Sequence, residues 1–342
     1  MDQFAIRPPA EREPFFTETA ARKGVLPLII EKDFWVTWCL KRIFEMKDIP
    51  GHIFKGGTSL SKVYGLINRF SEDIDISIDR FGLGFAGDKD PAQAPSRKKR
   101  ERLTEDLKDT CASFIGNAIL PRFVTVCAEQ LGQTGWQASL DKRDPDRQSI
   151  LFEYPRSLRD YGPGAYLTPS LLLEFGCRGD QWPAEDKIIQ TFAAEEFPGE
   201  FKDGKVRLRA LSPERSFWEK VTLMHAENGR PRDKPIPPRL SRHYSDVAII
   251  YRSDVGKRAI EDTKLLEEVV KHKRVFFASA WANYDAAKPG SLSLTPNADL
   301  EKALRADYEQ MKDMFFGVPE SFDSILDVIE EMNRHIAGAS RR

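Results

Sequence analysis

Lys55-Gly56-Gly57-Thr58-Ser59-Leu60, followed after a short interval by Arg69-Phe70-Ser71-Glu72-Asp73-Ile74-Asp75-Ile76-Ser77-Ile78-Asp79, is the stretch on which the reading of the chain turns. Two glycines open it, then two hydroxyls, then apolar residues at Leu60, Val63, Tyr64 and Ile67, whose spacing predicts a short helix. From Asp73 to Asp79 acids or a hydroxyl alternate with isoleucine, the pattern of a strand with one dry face. Ile74, Ile76 and Ile78 are therefore expected in a core, and Asp73, Asp75, Ser77 and Asp79 on the other side. Two carboxylates two residues apart on one strand face can hold hard divalent cations through oxygen. A Gly-Gly turn at a helix start lets backbone N–H groups come close to phosphate. Alone, Asp-x-Asp reads more simply as a solvated edge strand charged against mispairing. The phosphate cradle just upstream turns the balance toward a nucleotide site.

These residues, from Lys55-Gly-Gly-Thr-Ser-Leu through Arg69-Phe-Ser-Glu-Asp-Ile-Asp-Ile, resemble the AbiEii/AbiGii toxin family, nucleotidyltransferases with a polymerase-β-like core. The interval between the glycines and Asp73 is longer than in many polymerase-β-like enzymes. The Arg-Phe-Ser-x-Asp-x-Asp wording is similar to the toxin branch. The resemblance extends in separated motifs over at least residues 25–250.

The chain has 342 residues, enough for a sizeable core and about two domains. It is 41% hydrophobic and 31% charged, as soluble globular proteins are, and its formal net charge is −1. Any nucleic-acid binding must therefore come from local basic patches. Cys39, Cys111, Cys127 and Cys177 form no Cys-x-x-Cys pair, which argues against a zinc site or a disulfide framework and for a reducing compartment. The N-terminus lacks a signal pattern, and no apolar run is expected to reach the length of a membrane span. The expected location is the cytoplasm.

Upstream of the glycine turn, residues 1–24 read as an arm or short helix. Ile30, Phe34 and Trp38, widened by Leu40, Ile43 and Phe44, predict a long helix from Pro27 to about Phe44. Glu31-Lys32-Asp33 on it is either a helix-surface pair or the counterpart of a Glu-Lys-Asp motif that the resemblance implies ahead of the core. Downstream, residues 84–95 form a loop. Arg97-Lys98-Lys99-Arg100-Glu101-Arg102 opens a helix continued by Leu103, Leu107, Cys111, Phe114 and Ile115. That basic run is most simply a solvated face; its functional reading is phosphate contact. Strands are predicted at 135–140, 149–154 and 170–176, the last almost wholly apolar, as a central strand should be. Glu174 within it needs a partner or a metal, because burying an unpaired carboxylate is costly. It is the candidate third metal ligand, with Glu153 its rival.

The second half begins at Ser212-Pro213-Glu214, an N-cap, a first-turn proline and a first-turn acid. Phe217, Lys220, Val221 and Met224 share one face of the helix that follows. Lys220 so placed either snorkels to the rim or meets an anion, and a triphosphate is the anion we expect. The resemblance implies a matching lysine there. Residues 228–242 hold many bases and prolines and read as a loop, ending at Arg242-His243-Tyr244-Ser245-Asp246, which is similar to the family's Arg-His-Tyr-x-Asp motif. Asp246 is a candidate supporting group or proton acceptor, or an acid serving its own helix dipole. His243 is expected to pack or hydrogen-bond rather than catalyse. Helices are predicted at 259–272, 299–315 and 321–335.

The expected fold is α+β: residues 1–50 as an N-terminal arm and helix, 51–204 as a polymerase-β-like nucleotidyltransferase core with a small mixed sheet, and 205–342 as a helical domain closing the cleft. The expected activity is Mg²⁺-dependent nucleotidyl transfer from an NTP. Asp73, Asp75 and Glu174 would hold two ions. Gly56, Gly57, Thr58, Ser59 and Lys62, with Lys55 as a further candidate, would hold phosphates, and Lys220 and Asp246 would act in catalysis. By resemblance the chain is the toxin of a toxin–antitoxin or phage-defence pair, with a cognate antitoxin and the 3′ end of tRNA as candidate acceptor. The alternative is a phosphotransferase acting on a protein or small-molecule hydroxyl.

Overall fold

A computed structural model describes residues 1–71, 73–158 and 168–339; Glu72 of the opening stretch lies outside them. The chain divides into two units, Met1–Val63 with Phe70–Leu211, and Tyr64–Arg69 with Ser212–Arg342.

The first unit opens with helices α1 (Asp2–Ala5), α2 (Pro9–Lys23) and α3 (Pro27–Glu45), then β1 (His52–Lys55), α4 (Gly56–Lys62) and β2 (Ile74–Ile78). Helices α5 (Arg97–Phe114) and α6 (Leu120–Leu131) lead to β3 (Gln137–Leu140), β4 (Ser149–Glu153) and β5 (Ser170–Gly176). The unit closes with β6 (Ala184–Gln190), α7 (Phe192–Glu196) and β7 (Lys205–Leu211). Among the described residues the strands form one mixed seven-stranded sheet in the order β3-β4-β5-β2-β1-β7-β6. β1 runs parallel to β7 and β2 parallel to β5; the remaining pairs are antiparallel.

Period-two alternation gives this sheet two different faces. One carries Phe54, Ile74, Ile76, Ile150, Phe152, Leu171, Leu173, Val206 and Leu208, all buried. Helices α3 and α6 cover it: Trp38 stacks on Phe152 at 6.0 Å and Phe123 meets the same ring edge-on at 5.3 Å. The other face carries Lys55, Asp75, Glu174, Arg207 and Arg209, the odd-numbered register of the alternation in β1, β2 and β7 and the even in β5.

Several expectations are corrected. The sheet is larger than foreseen, because β1, β6 and β7 also join it. The helix after the glycines stops at Lys62 instead of reaching Ile67, and Gly65, at φ 60°, takes the left-handed turn beyond it. Helix α5 does not end near Ile115 but passes through a π-turn, Ile115–Ile119, into α6. Leu107, Cys111, Ile115, Ile119, Phe123 and Cys127 are buried along it at four-residue intervals. Each such step overshoots an α-helical turn by about 40°; the wider π-turn takes back part of that drift and keeps the row on the sheet. With no charged residue from Cys111 to Pro121, Arg97–Leu131 is long and apolar enough to cross a membrane by length and composition, contrary to expectation. An internal helix laid on a sheet has the same composition.

The second unit is helical: α8 (Pro213–Asn228), α9 (Ser241–Tyr251), α10 (Asp254–Glu261), α11 (Thr263–Phe276), α12 (Ala298–Gln310) and α13 (Phe322–Ala339). Ser212 caps α8 as its sequence predicts, accepting a hydrogen bond from the Arg215 N–H at 3.2 Å. The single helix expected at 259–272 is two, because Asp262 ends α10 and caps α11 through the Leu265 N–H. Residues Tyr64–Arg69 belong here: Arg69 bridges Phe315, and the Phe316 N–H donates to the Asn68 carbonyl at 2.9 Å.

Candidate active site

In the first unit β1 turns directly into α4 at Gly56. Its φ is 77°, and a Cβ at this position would lie 1.9 Å from Asp75 Oδ2. Both the backbone angle and the approach of that carboxylate require glycine. Gly57 follows in the first turn of α4, where backbone N–H groups have no intrahelical acceptor. The Thr58 hydroxyl donates to the Asp73 carbonyl oxygen at 2.5 Å, fastening the turn to the strand that follows. Ser59 is buried, and its hydroxyl has no hydrogen-bond partner among the described residues.

Asp75 stands opposite Lys55 on β1 and opposite Glu174 on β5, so three charged side chains occupy one row across three central strands. Asp73 precedes β2 by one residue and is half-buried. Glu153 is elsewhere: on β4 it is paired with Ser170, while the β4 residue opposite Glu174 is Ser149. Asp79 accepts from the Phe81 N–H at 3.0 Å and so belongs to a turn.

Among the described residues no three Asp, Glu, His or Cys side chains gather closely enough to hold a metal by themselves. Mg²⁺ does not demand such a cage; it usually takes one or two carboxylates and completes its shell with water and substrate phosphate. Neighbouring oxygen donors at Asp75 and Glu174, beneath a turn that only glycine can make, fit that requirement.

Lys62 at the end of α4 is ion-paired with Asp33 and lies 4.5 Å from the Phe192 ring centroid. The surface-pair reading of Glu31-Lys32-Asp33 is overturned, since all three are buried. Glu31 accepts from the Ser157 N–H, Lys32 Nζ donates to the Ser170 carbonyl at 3.0 Å, and Asp33 also accepts from the Phe192 N–H at 2.7 Å. This triplet ties α3 to α4, to the start of β5 and to α7.

The second unit holds a different charged cluster. Asp246 on α9 is fully buried and receives two hydrogen bonds of 2.8 Å from the Arg69 guanidinium, a fork-to-fork pair. Lys220 Nζ lies 3.0 Å from Asp246 Oδ2, an oxygen that also accepts from Arg69, and 3.4 Å from His243 Nδ1. Burial raises the Asp246 pKa, but Arg69 and Lys220 outweigh it and hold the group below the ordinary carboxylate range. Burial lowers Lys220, opposed by Asp246 and reinforced by the nearby Arg69 and Arg242 charges. Desolvation and the Lys220 charge likewise hold His243 well below its usual value, so it is a neutral acceptor. The anion that Lys220 needs on its apolar face is thus present within the chain.

The family model of the nucleotidyl transferase AbiEii toxin, a type IV toxin–antitoxin system, matches residues 38–328. The chain belongs to the AbiEii family. It is accordingly a nucleotidyltransferase toxin of a type IV system, a class defined by an NTP substrate and an antitoxin partner. Among solved structures the chain is similar to MenT4, a nucleotidyltransferase toxin from Mycobacterium tuberculosis H37Rv, with a TM-score of 0.48 and 13% identity over 95% of this chain and 92% of that one. No curated protein matches it by sequence.

Two features of this AbiEii member escaped the sequence reading. Nothing in the sequence around Arg69 marks its role, although a buried Asp246 demands a strong cation. The two basic segments also differ in kind from one another. Arg97 and Arg102 are exposed and pair along their own helix with Glu101 and Asp106. In the 228–242 loop, Arg230 pairs with Glu227 and lies 5.1 Å from the Trp281 ring centroid, and the Arg239 N–H donates to Asp307 at 2.7 Å.

Proposed function

We propose that this AbiEii nucleotidyltransferase is Mg²⁺-dependent and transfers a nucleotidyl group from an NTP to the 3′ end of an RNA, with tRNA as the acceptor. The observation that carries the reading is Asp75, in register with Glu174 and seated against Gly56. The acceptor hydroxyl gives its proton to water as its oxygen attacks the α-phosphorus, the bond to the bridging oxygen breaks, and pyrophosphate leaves. When bound, Mg²⁺ would supply positive charge to offset that of the phosphates during transfer. Asp75 and Glu174, joined by Asp73, are the ligands we assign to two ions. Gly56, Gly57, Thr58 and Ser59 bind phosphate through backbone N–H groups and the Ser59 hydroxyl, with Lys55 and Lys62 as the neighbouring cations of that segment. In the second unit Lys220 is assigned to the triphosphate, and Asp246 is the positioning residue that holds its ammonium between substrates. Action in the cytoplasm, in a pair serving phage defence, completes the proposal.

Incubation with each α-labelled triphosphate and total cellular RNA tests it. Label should enter RNA, require Mg²⁺, and vanish with Asp75→Asn. Transfer of γ-label to a protein or small molecule, with none from the α-position, would establish the phosphotransferase instead.

A further inference from the structure

The polar face of the sheet in the first unit carries more than carboxylates. β7 presents Lys205, Arg207 and Arg209 there, all exposed, and among the described residues none of the three side chains is hydrogen-bonded or ion-paired. Alternate residues of one strand lie about 6.6 Å apart, so these cations form an extended row. The neighbouring β6 adds Asp186 opposite Arg209, Gln190 opposite Lys205 and Ile188, 60% exposed, opposite Arg207. The chain from β5 to β6 crosses this same face. Ser77 Oγ donates to the Gly179 carbonyl, and Gln181 Nε2 donates to the Ser77 carbonyl at 2.7 Å. Gly179 also comes near the Lys55 side chain, since a Cβ there would lie 3.6 Å from Lys55 Cε. Trp182 is next but one after Asp180 in this crossing, 63% exposed, two residues before the Ala184–Leu211 pair that starts the β6–β7 ladder.

We propose that Trp182 with Arg207 and Arg209, continued by Lys205, is a track for single-stranded nucleic acid that leads an RNA 3′ end along the sheet to Asp75. The proposal rests on the reading of the acceptor as RNA. Cations in a row follow a phosphate backbone, and an exposed indole near the Leu211 end of that row offers a base its π-face, the combination that binds single strands without sequence preference. An acidic polypeptide would also meet the cations. The indole favours nucleic acid, because a base stacks on it and a carboxylate does not. A duplex keeps its bases stacked internally and gains nothing from Trp182.

The test is anisotropy of a short labelled single-stranded RNA with the full chain, in EDTA and without NTP, across a salt titration. Combined Lys205→Gln, Arg207→Gln and Arg209→Gln should flatten the slope of log K against log salt by about 0.7 per lost contact, near two in all. Trp182→Ala should weaken binding at least about fivefold, Trp182→Phe should restore most of it, and a duplex should be indifferent to both. These positions are exposed, so melting temperatures should match wild type. An unchanged salt slope in the triple variant, or Trp182→Ala binding as tightly as wild type, would overturn the track. So would capture of polyglutamate by these cations with no affinity for RNA. Because no nucleotide is present, wild type that labels RNA yet ignores these substitutions refutes the track alone. Wild type that binds RNA through them yet labels none upholds the track and refutes the proposed transfer.

Discussion

Asp73 and Asp75 are separated by one buried isoleucine, whereas Asp79 spends its carboxylate on a turn N–H. Asp73→Asn or Asp75→Asn should therefore lower transfer by about a hundredfold or more, and Asp79→Asn by no more than a few-fold. Steady-state rates with labelled NTP decide this, and equal effects at all three positions would remove the metal assignment. Gly56→Ala combines a disfavoured φ with a collision at Asp75 Oδ2. It should cost about 1–3 kcal/mol in denaturant unfolding and depress transfer as Asp75→Asn does. Lys220 and Arg69 share Asp246 unequally, and their variants should rank accordingly. Lys220→Met removes a desolvated ammonium and leaves the carboxylate its guanidinium fork, so stability without ligand should hold or rise. The melting-temperature gain from Mg²⁺-NTP should disappear. Arg69→Met leaves the acid half-satisfied and should cost about 3 kcal/mol. The reverse ranking in thermal melts would refute this division. The Asp246 pKa is depressed in the folded state, so its contribution is present above the ordinary value of 3.8 and is lost as pH falls below it. Arg69→Met should accordingly show a shallower loss of stability between pH 5 and 3. At this scale Asp-x-Asp was readable because alternation reports a strand face directly. Glu31, Lys32 and Asp33 were not, because Lys62, Ser157 and Ser170, which make their burial tolerable, are remote in sequence.

Elements differ in how much of themselves they display. α3 and α8 carry long apolar stripes and clear starts, and both form where the periodicity predicts. β1 has four residues, too few for alternation to register. β7 does alternate, Lys205, Arg207 and Arg209 against Val206, Leu208 and Ala210, but it follows a Pro- and Gly-punctuated stretch that obscures where regular structure resumes. The split between α10 and α11 depends on one side chain. Asp262→Ala should cost about 1 kcal/mol and speed hydrogen exchange in the first turn of α11, with α8 unaffected. Equal exchange in variant and wild type would mean the cap is not what divides the helices. The basic start of α5 is offset by its own acids at i+4, exposed pairs worth little individually.

The molecule as a whole is nearly neutral, with basic residues gathered locally and two units each built on an apolar core. The α+β reading could be made from the order of elements. The membership of residues 64–69 could not, because nothing local in Tyr64-Gly65-Leu66-Ile67-Asn68-Arg69 names a partner so far along the chain. That membership bears on synthesis. The hydrogen bonds of Arg69 to Asp246 span 177 residues. At about 5–20 residues per second, a ribosome delivers Asp246 roughly ten to thirty-five seconds after Arg69. Through most of that interval Asp73 and the strand bearing Asp75 have already been made, tethered to a guanidinium whose carboxylate is not yet synthesised. The segment leading into the proposed catalytic strand is thus anchored late, first to Asp246 once translation has passed the start of α9 and then to Phe315 and Phe316.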